Sequence, residues 1–214
     1  LLEALYGRLD MIVDEGLSEP NDHGHLNVVK RLFPLCTPGS KPVRKALKVA
    51  SANGDLPTVT ALVDGRVVTV EKYYSDAIVG AIKNGHHNVA AFLINRKLTS
   101  PYYKKFFGNI LIAAAEEGDV EIIDSMISKG SGDINEALVV AVKNGRLDAV
   151  TAIARAVIKR QEEGDKTIEN IDYIKALRVA VDDAQGEIVD FSLTLGKGDY
   201  NGVLLSEAAA GKVD

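Results

Sequence analysis

Four histidines, one cysteine, a glycine-rich stretch and several acidic pairs are the residues of this chain that could do chemistry. His86 and His87 stand side by side in AIKNGHHNVAAFL, residues 81–93. With His23 and His25 they could ligate a metal, relay a proton or respond to pH. Cys36 could act as a nucleophile. LGKGDYNG, residues 195–202, has a superficial likeness to a loop that cradles phosphate. Glu116-Glu117 and Asp182-Asp183 set carboxylates next to each other, as general acid–base work would need. Which of these survive depends on the elements that carry them.

Those elements repeat. AVKNGRLDAVTAI, residues 141–153, has the frame of residues 81–93: Ala, an apolar residue, Lys-Asn-Gly, two variable positions, a polar residue and an apolar pair. With the glycine as anchor, units start at Gly7, Gly24, Gly54, Gly85, Gly118 and Gly145, and a further one at Ala184. The terminal AAAGKVD reads as the opening of another, truncated unit. Most anchors lie about 30 residues apart, a period typical of stacked helix pairs. Gly7 to Gly24 is only 17 residues, too short for a whole unit, which suggests a half-repeat cap or a missing segment.

An Ala- and aliphatic-rich segment at helical spacing precedes most anchors: ALKVASAN, AIVGAIKN, ILIAAAEE, ALVVAVKN and ALRVAVDD. Glycine suits the residue after a helix, where φ is positive. Asp55 or Asp119 can then cap a second helix, and Pro57 sits in a tolerant first turn. The spacing therefore predicts helix, tight glycine turn, helix and variable connector. Neither helix can bury its stripe alone; stacked neighbours can. Three prolines, Pro34, Pro38 and Pro42, mark one connector. KRQEEGDKTIENID, residues 159–172, is expected to extend a second helix and then loop.

Helix pairs in the frame A-L-x-x-A-x-x-x-G-[HDR]-[LV]-x-x-[VI], best seen in GHLNVVKRL at 24–32, GDVEIIDSM and GRLDAVTAI, resemble the ankyrin repeat. The family's Thr-Pro-Leu-His opening is absent: Lys45-Ala46, Asp76-Ala77 and Glu136-Ala137 replace its Thr-Pro. Its β-hairpin connectors have drifted, and residues 127–137 are too few for a full one. Tetratricopeptide repeats expect Trp, which is lacking here, and HEAT-like repeats fit only the longest spacing. The resemblance implies an all-α solenoid of stacked helix-turn-helix units with short or degenerate hairpin connectors. One repeat domain over residues 1–214, of six to seven units, is the expected organisation.

With that register, the candidate chemistry loses ground. His25 and His86 fill the slot after the anchor, which in the resembling family is commonly His and joins neighbouring repeats. Equivalent positions two repeats apart should lie about 20 Å from each other, given helix separations of about 8–10 Å. Zinc ligands must all lie about 2 Å from one ion. Cys36 has no second cysteine for a disulfide or a metal. No strand pattern precedes LGKGDYNG. The acidic pairs occupy the two slots that hold Lys83-Asn84 and Lys143-Asn144 elsewhere, so their charge varies as a solvated surface does. The expectation is no enzyme, no cofactor and no metal.

Composition points the same way. Of 214 residues, 46% are apolar and 26% charged, which suits a packed soluble chain. A net charge of −5 without a basic stripe argues against nucleic acid. No apolar run reaches the ~20 residues of a membrane span. The opening LLEAL, without Met or signal peptide, reads as a processed or trimmed fragment.

Surface remains. The resemblance implies a concave face lined by connector tips and by the last turn of each first helix. Carried over, those slots are Ala52-Asn53, Lys83-Asn84, Glu116-Glu117, Lys143-Asn144 and Asp182-Asp183, alternating in charge. Aromatics flanked by lysines cluster in two stretches read as connectors: Tyr73-Tyr74, and Tyr102, Tyr103, Lys104, Lys105, Phe106 and Phe107. Phe106 and Phe107 read first as packing under a drifted hairpin and second as binding; for Tyr74 and Tyr103 the order is reversed. The function expected is a non-catalytic module that binds one protein partner. Such degenerate arrays resemble those of intracellular pathogens, protists, oomycetes and large viruses, which implies a host-directed virulence effector, secreted and acting inside the host cell. The alternative is a scaffold segment of a larger protein. A monomer in the cytoplasm, off the membrane, completes the expectation.

Overall fold

The computed structural model describes residues 40–65, 71–97, 104–130, 132–164, 173–183 and 186–194. It is mostly helical, and no strand occurs among the described residues. The chain divides into two compact units, Leu1–Phe106 and Phe107–Asp214. In the first lie α1 (Lys41–Ala52), α2 (Leu56–Asp64), α3 (Glu71–Lys83) and α4 (His87–Lys97). Helix α5 (Lys104–Glu117) begins just before the division and runs into the second unit. There follow α6 (Val120–Ser128), α7 (Ile134–Lys143), α8 (Leu147–Glu162), α9 (Tyr173–Asp182) and α10 (Gly186–Thr194).

Each of the five helix pairs falls where the repeat frame predicts. The turns at Gly54, Gly85 and Gly145 share one mechanism. Gly54 has φ +75°, a conformation that costs an L side chain strain and glycine little. Its N–H donates to the Ser51 carbonyl at 3.3 Å, and the next N–H, of Asp55, donates to the Ala50 carbonyl at 2.9 Å. That is the paired-bond Schellman ending, which satisfies carbonyls the helix leaves open. Gly85 and Gly145 repeat it: His86 N donates to Ala81 O and Arg146 N to Ala141 O, both at 2.9 Å. Two turns then cap the second helix at once. Asp55 Oδ1 accepts from Thr58 N at 3.0 Å and Asp119 Oδ1 from Ile122 N at 3.1 Å, as their positions predict. Pro57 lies in the first turn of α2.

The apolar slots of the frame become the core of each unit. In the first helices, Ala46, Leu47 and Ala50 are fully buried, and so are their counterparts Ala77, Ile78 and Ala81, and Ile110, Leu111 and Ala114. In the second helices, Val59, Leu62, Ala90, Leu93, Ile123 and Met126 are fully buried at equivalent slots. The alanine four residues before each of these anchors, Ala50, Ala81 and Ala114, lets neighbouring backbones approach. Within the first unit, α1 packs on α3 and α2 on α4, while α1–α2 and α3–α4 pack as pairs. The second unit repeats this with α7 on α9, α6 on α8 and α8 on α10. Within each unit, first helices thus meet first helices and second helices meet second helices, so a packed neighbour covers the stripe a pair leaves open.

Connectors are short where they are described. Between α6 and α7 the chain turns through Lys129 and Gly130, and Asp133 caps α7 by accepting from Glu136 N at 3.0 Å. Gly132, at φ +88°, presses on α5: a Cβ there would meet Gly108 Cα at 3.2 Å and Leu111 Cδ2 at 3.0 Å. Helix α8 runs to Glu162, so the predicted extension through KRQE is helical. Pro42, read from the sequence as part of a connector, lies instead in the first turn of α1, where its missing N–H costs nothing; Pro34 and Pro38 lie outside the described residues.

A further assignment changes with the aromatics. Tyr73, Tyr74, Phe106 and Phe107 are not in connectors; α3 starts at Glu71 and α5 at Lys104, so all four sit in the first turn of a first helix. The alanine-rich stretch marks only the later turns of these helices, and the preceding turn is too polar and aromatic to show the stripe.

Candidate functional site

The proposed binding slots sit at the C-terminal ends of the first helices. Lys83, Asn84, Lys143 and Asn144 are exposed, and Glu116 and Glu117 are half-buried. The asparagines turn back on their own helices: Asn84 Nδ2 donates to Gly80 O at 2.8 Å and Asn144 Nδ2 to Val140 O at 2.9 Å. Their amides therefore close helix ends as well as facing water. Asp183 is exposed just after α9, and Asp182 is that helix's last residue. Lys104 and Lys105 open α5. Tyr102, Tyr103, His23, His25, Cys36, the anchors Gly7, Gly24 and Ala184, and LGKGDYNG lie outside the described residues.

Within each unit, one turn touches the next through the slot after the anchor glycine. His86 lays its ring over Gly54, so close that a Cβ there would be 2.5 Å from Nδ1. In the second unit Arg146 does the same over Gly118, with Cδ 3.3 Å from such a Cβ. Its Nε donates to the Glu116 carbonyl at 3.0 Å, and its other end lies 3.8 Å from Glu117. The joining role read for His86 is thus what its geometry shows, and arginine fills it equally well. His87, the first residue of α4, is exposed. No group of three or more possible metal ligands occurs among the described residues.

A second row of arginines, not singled out by sequence reasoning, joins the far ends of the second helices. Arg96 pairs with Asp64 at the end of α2. Arg160 donates to the Ile127 carbonyl at 2.6 Å, near the end of α6. Cations at helix C-termini meet open carbonyls and the negative end of the dipole. Only the overhang of α8 hinted at this, since it is what lets Arg160 fold back.

That overhang leaves an open cleft of about 640 Å³ between α6 and α8. Arg155, Lys159 and Arg160 line one side, and Asp124, Ser125 and Ser128 the other. Its lining mixes both signs of charge and lacks a converging polar set of the kind that orients one small ligand.

The aromatic candidates divide. Tyr73 is half-buried and receives a hydrogen bond from Arg44 Nη1 at 2.6 Å, with the guanidinium 4.7 Å from its ring centre. Tyr74 is only 2% exposed, so it is a core residue and not a contact for a partner. Its slot, the same as that of fully buried Val43, is apolar in every described unit, and this is the signal that separates it from Tyr73. No helix among the described residues is long and apolar enough to cross a membrane. The chain matches no protein-family model and no curated protein sequence.

Proposed function

We propose that the chain is a non-catalytic protein-interaction module whose helix pairs are ankyrin-like repeats of an α-solenoid, and that the last turns of its first helices read a protein partner by charge. One observation carries this reading. Among the described units most slots facing the core stay apolar, Ser51 and Thr58 being exceptions, whereas the pair just before each anchor changes from Lys-Asn to Glu-Glu to Asp-Asp. Positions whose residue type the core does not fix, held on a helix end, are where recognition can be written without disturbing the fold. The helix-on-helix pattern within each unit supports the repeat reading, because each pair buries its stripe only against the next. A host-directed effector role rests on the resemblance of the repeats alone.

The test is affinity capture with mass spectrometry, comparing the native chain with a Lys83→Glu/Lys143→Glu variant and with a Glu116→Lys/Glu117→Lys variant. Circular dichroism melts confirm that each is folded. Loss of one and the same partner from the charge-reversed variants is the expected result. Undiminished capture of that partner by both would remove the site.

A further inference from the structure

Three of the turns join asparagine to the anchor glycine: Asn53-Gly54, Asn84-Gly85 and Asn144-Gly145. A fourth such pair, residues 201–202, lies outside the described residues. Asn-Gly is the dipeptide most open to self-attack, because no side chain shields the glycine nitrogen. We propose that Asn53, Asn84 and Asn144 are latent deamidation sites, held in check by the turn bonds of the folded repeat and released when a turn opens.

In the reaction, the glycine nitrogen gives up its proton and attacks the asparagine Cγ. A bond forms between that nitrogen and Cγ, the Cγ–Nδ2 bond breaks, and ammonia leaves with the proton. Water then opens the resulting succinimide at either carbonyl, giving aspartate or isoaspartate. Both attacking and leaving nitrogens are engaged in the folded turn. Gly85 N donates to Ile82 O and Gly145 N to Val142 O, each at 2.9 Å. The leaving amides of Asn84 and Asn144 donate to Gly80 O at 2.8 Å and Val140 O at 2.9 Å. Asn53 and Asn144 hold ψ at −2° and 8°, and turning the glycine nitrogen onto Cγ means leaving that conformation and its bonds. The Gly54 nitrogen has the longest of these bonds, 3.3 Å, but its turn is covered by the His86 ring.

The aspartate product fits the frame, since the same slot already holds Glu117 and Asp183. It places a carboxylate beside Lys83 or Lys143 and erases the local positive charge. Isoaspartate adds a backbone atom to a turn that has no room in its bonding pattern for one. The conversion does not depend on the partner-binding reading; only the consequence of the new charge does.

The experiment incubates the full chain at neutral pH, in native buffer and in urea, and follows each Asn-Gly peptide by mass spectrometry. All three sites should convert in urea, and about tenfold or more slowly in native buffer, as a local opening cost of only modest size produces. His86→Ala, still folded by circular dichroism, should raise the native rate at Asn53 several-fold and leave Asn144, in the other unit, unchanged. His86→Phe, which keeps a ring over Gly54, should restore the slow rate. Equal rates in native buffer and urea, or no conversion in urea, overturns the proposal. So does His86→Ala acting on Asn53 and Asn144 alike.

Discussion

The imidazole of His86 covers the backbone of Gly54, so that the turn of one helix pair is the seat for the side chain opening the next. Glycine is required at Gly54 twice over, by its φ of +75° and by the ring above it. Gly85 has the same φ but nothing within 4 Å of a Cβ. Gly85→Ala should therefore cost only the conformational term, about 1 kcal/mol. Gly54→Ala should cost about 1 kcal/mol or more beyond that, from overpacking. In a His86→Ala background the excess should vanish, and urea melts of the four-member cycle measure it. Equal costs at the two glycines would show that the ring yields freely.

Much of this fold is visible in the sequence because the turn chemistry and the core chemistry have different signatures. Gly after an alanine-rich stripe, then Asp, is enough to place α1–α2 and α5–α6. The start of α3 was hidden, since Glu71, Lys72, Tyr73 and Tyr74 carry no small apolar stripe. Tyr74 was the cost of that blind spot: its slot is a core slot, but a frame counted only from alanine did not reach it. The arginine stitches were less legible still. Arg96 and Arg160 stand at different distances from their anchors, because α8 is longer than α4, and a contact between elements leaves no spacing to read.

Two buried hydroxyls in the first unit offer a gain in stability. Ser51 Oγ and Thr58 Oγ1 are fully buried and lack a hydrogen-bond partner. The equivalent slots in the next pair hold Ile82 and Val89, both fully buried. A hydroxyl taken from water without a replacement bond costs about 1–3 kcal/mol. Thr58→Val, which keeps the shape, should stabilise the protein by about 1 kcal/mol, and Ser51→Ala by somewhat less. A fall in the urea midpoint for Thr58→Val would mean that the hydroxyl has a partner after all.

Arg146 and Glu117 look like an ion pair, but the stabilisation should come from elsewhere. At 3.8 Å, with side chains 46% and 33% exposed, the pair is long and solvated, and such contacts contribute about 0–1 kcal/mol. The Nε bond to Glu116 O and the stem packed on Gly118 are the firmer links. Glu117→Gln should be nearly neutral, whereas Arg146→Ala should cost about 1 kcal/mol or slightly more. Raising the salt concentration should narrow neither value much. If Glu117→Gln proved as costly as Arg146→Ala, the charge pair would be the true link between these turns.

Tyr73 and Tyr74 are neighbours in sequence with opposite duties, and separating them decides how binding data on this region are read. Tyr74 fills the core of the first unit, so Tyr74→Ala should cost about 3–5 kcal/mol, as large aromatic truncations in cores do. That is a large share of the roughly 5–15 kcal/mol by which a domain is stable, so a partner lost with it would not by itself indicate contact. Tyr73→Phe removes only the hydroxyl that Arg44 donates to, while the ring under the guanidinium stays. Its cost should be about 1 kcal/mol, small enough to leave the unit folded. Tyr73→Ala also removes the cation–π contact and should cost about 1 kcal/mol more. Thermal melts of these three variants, recorded beside any binding measurement, separate the duties: a Tyr74→Ala protein as stable as the native one would place that ring on the surface and return it to the binding site.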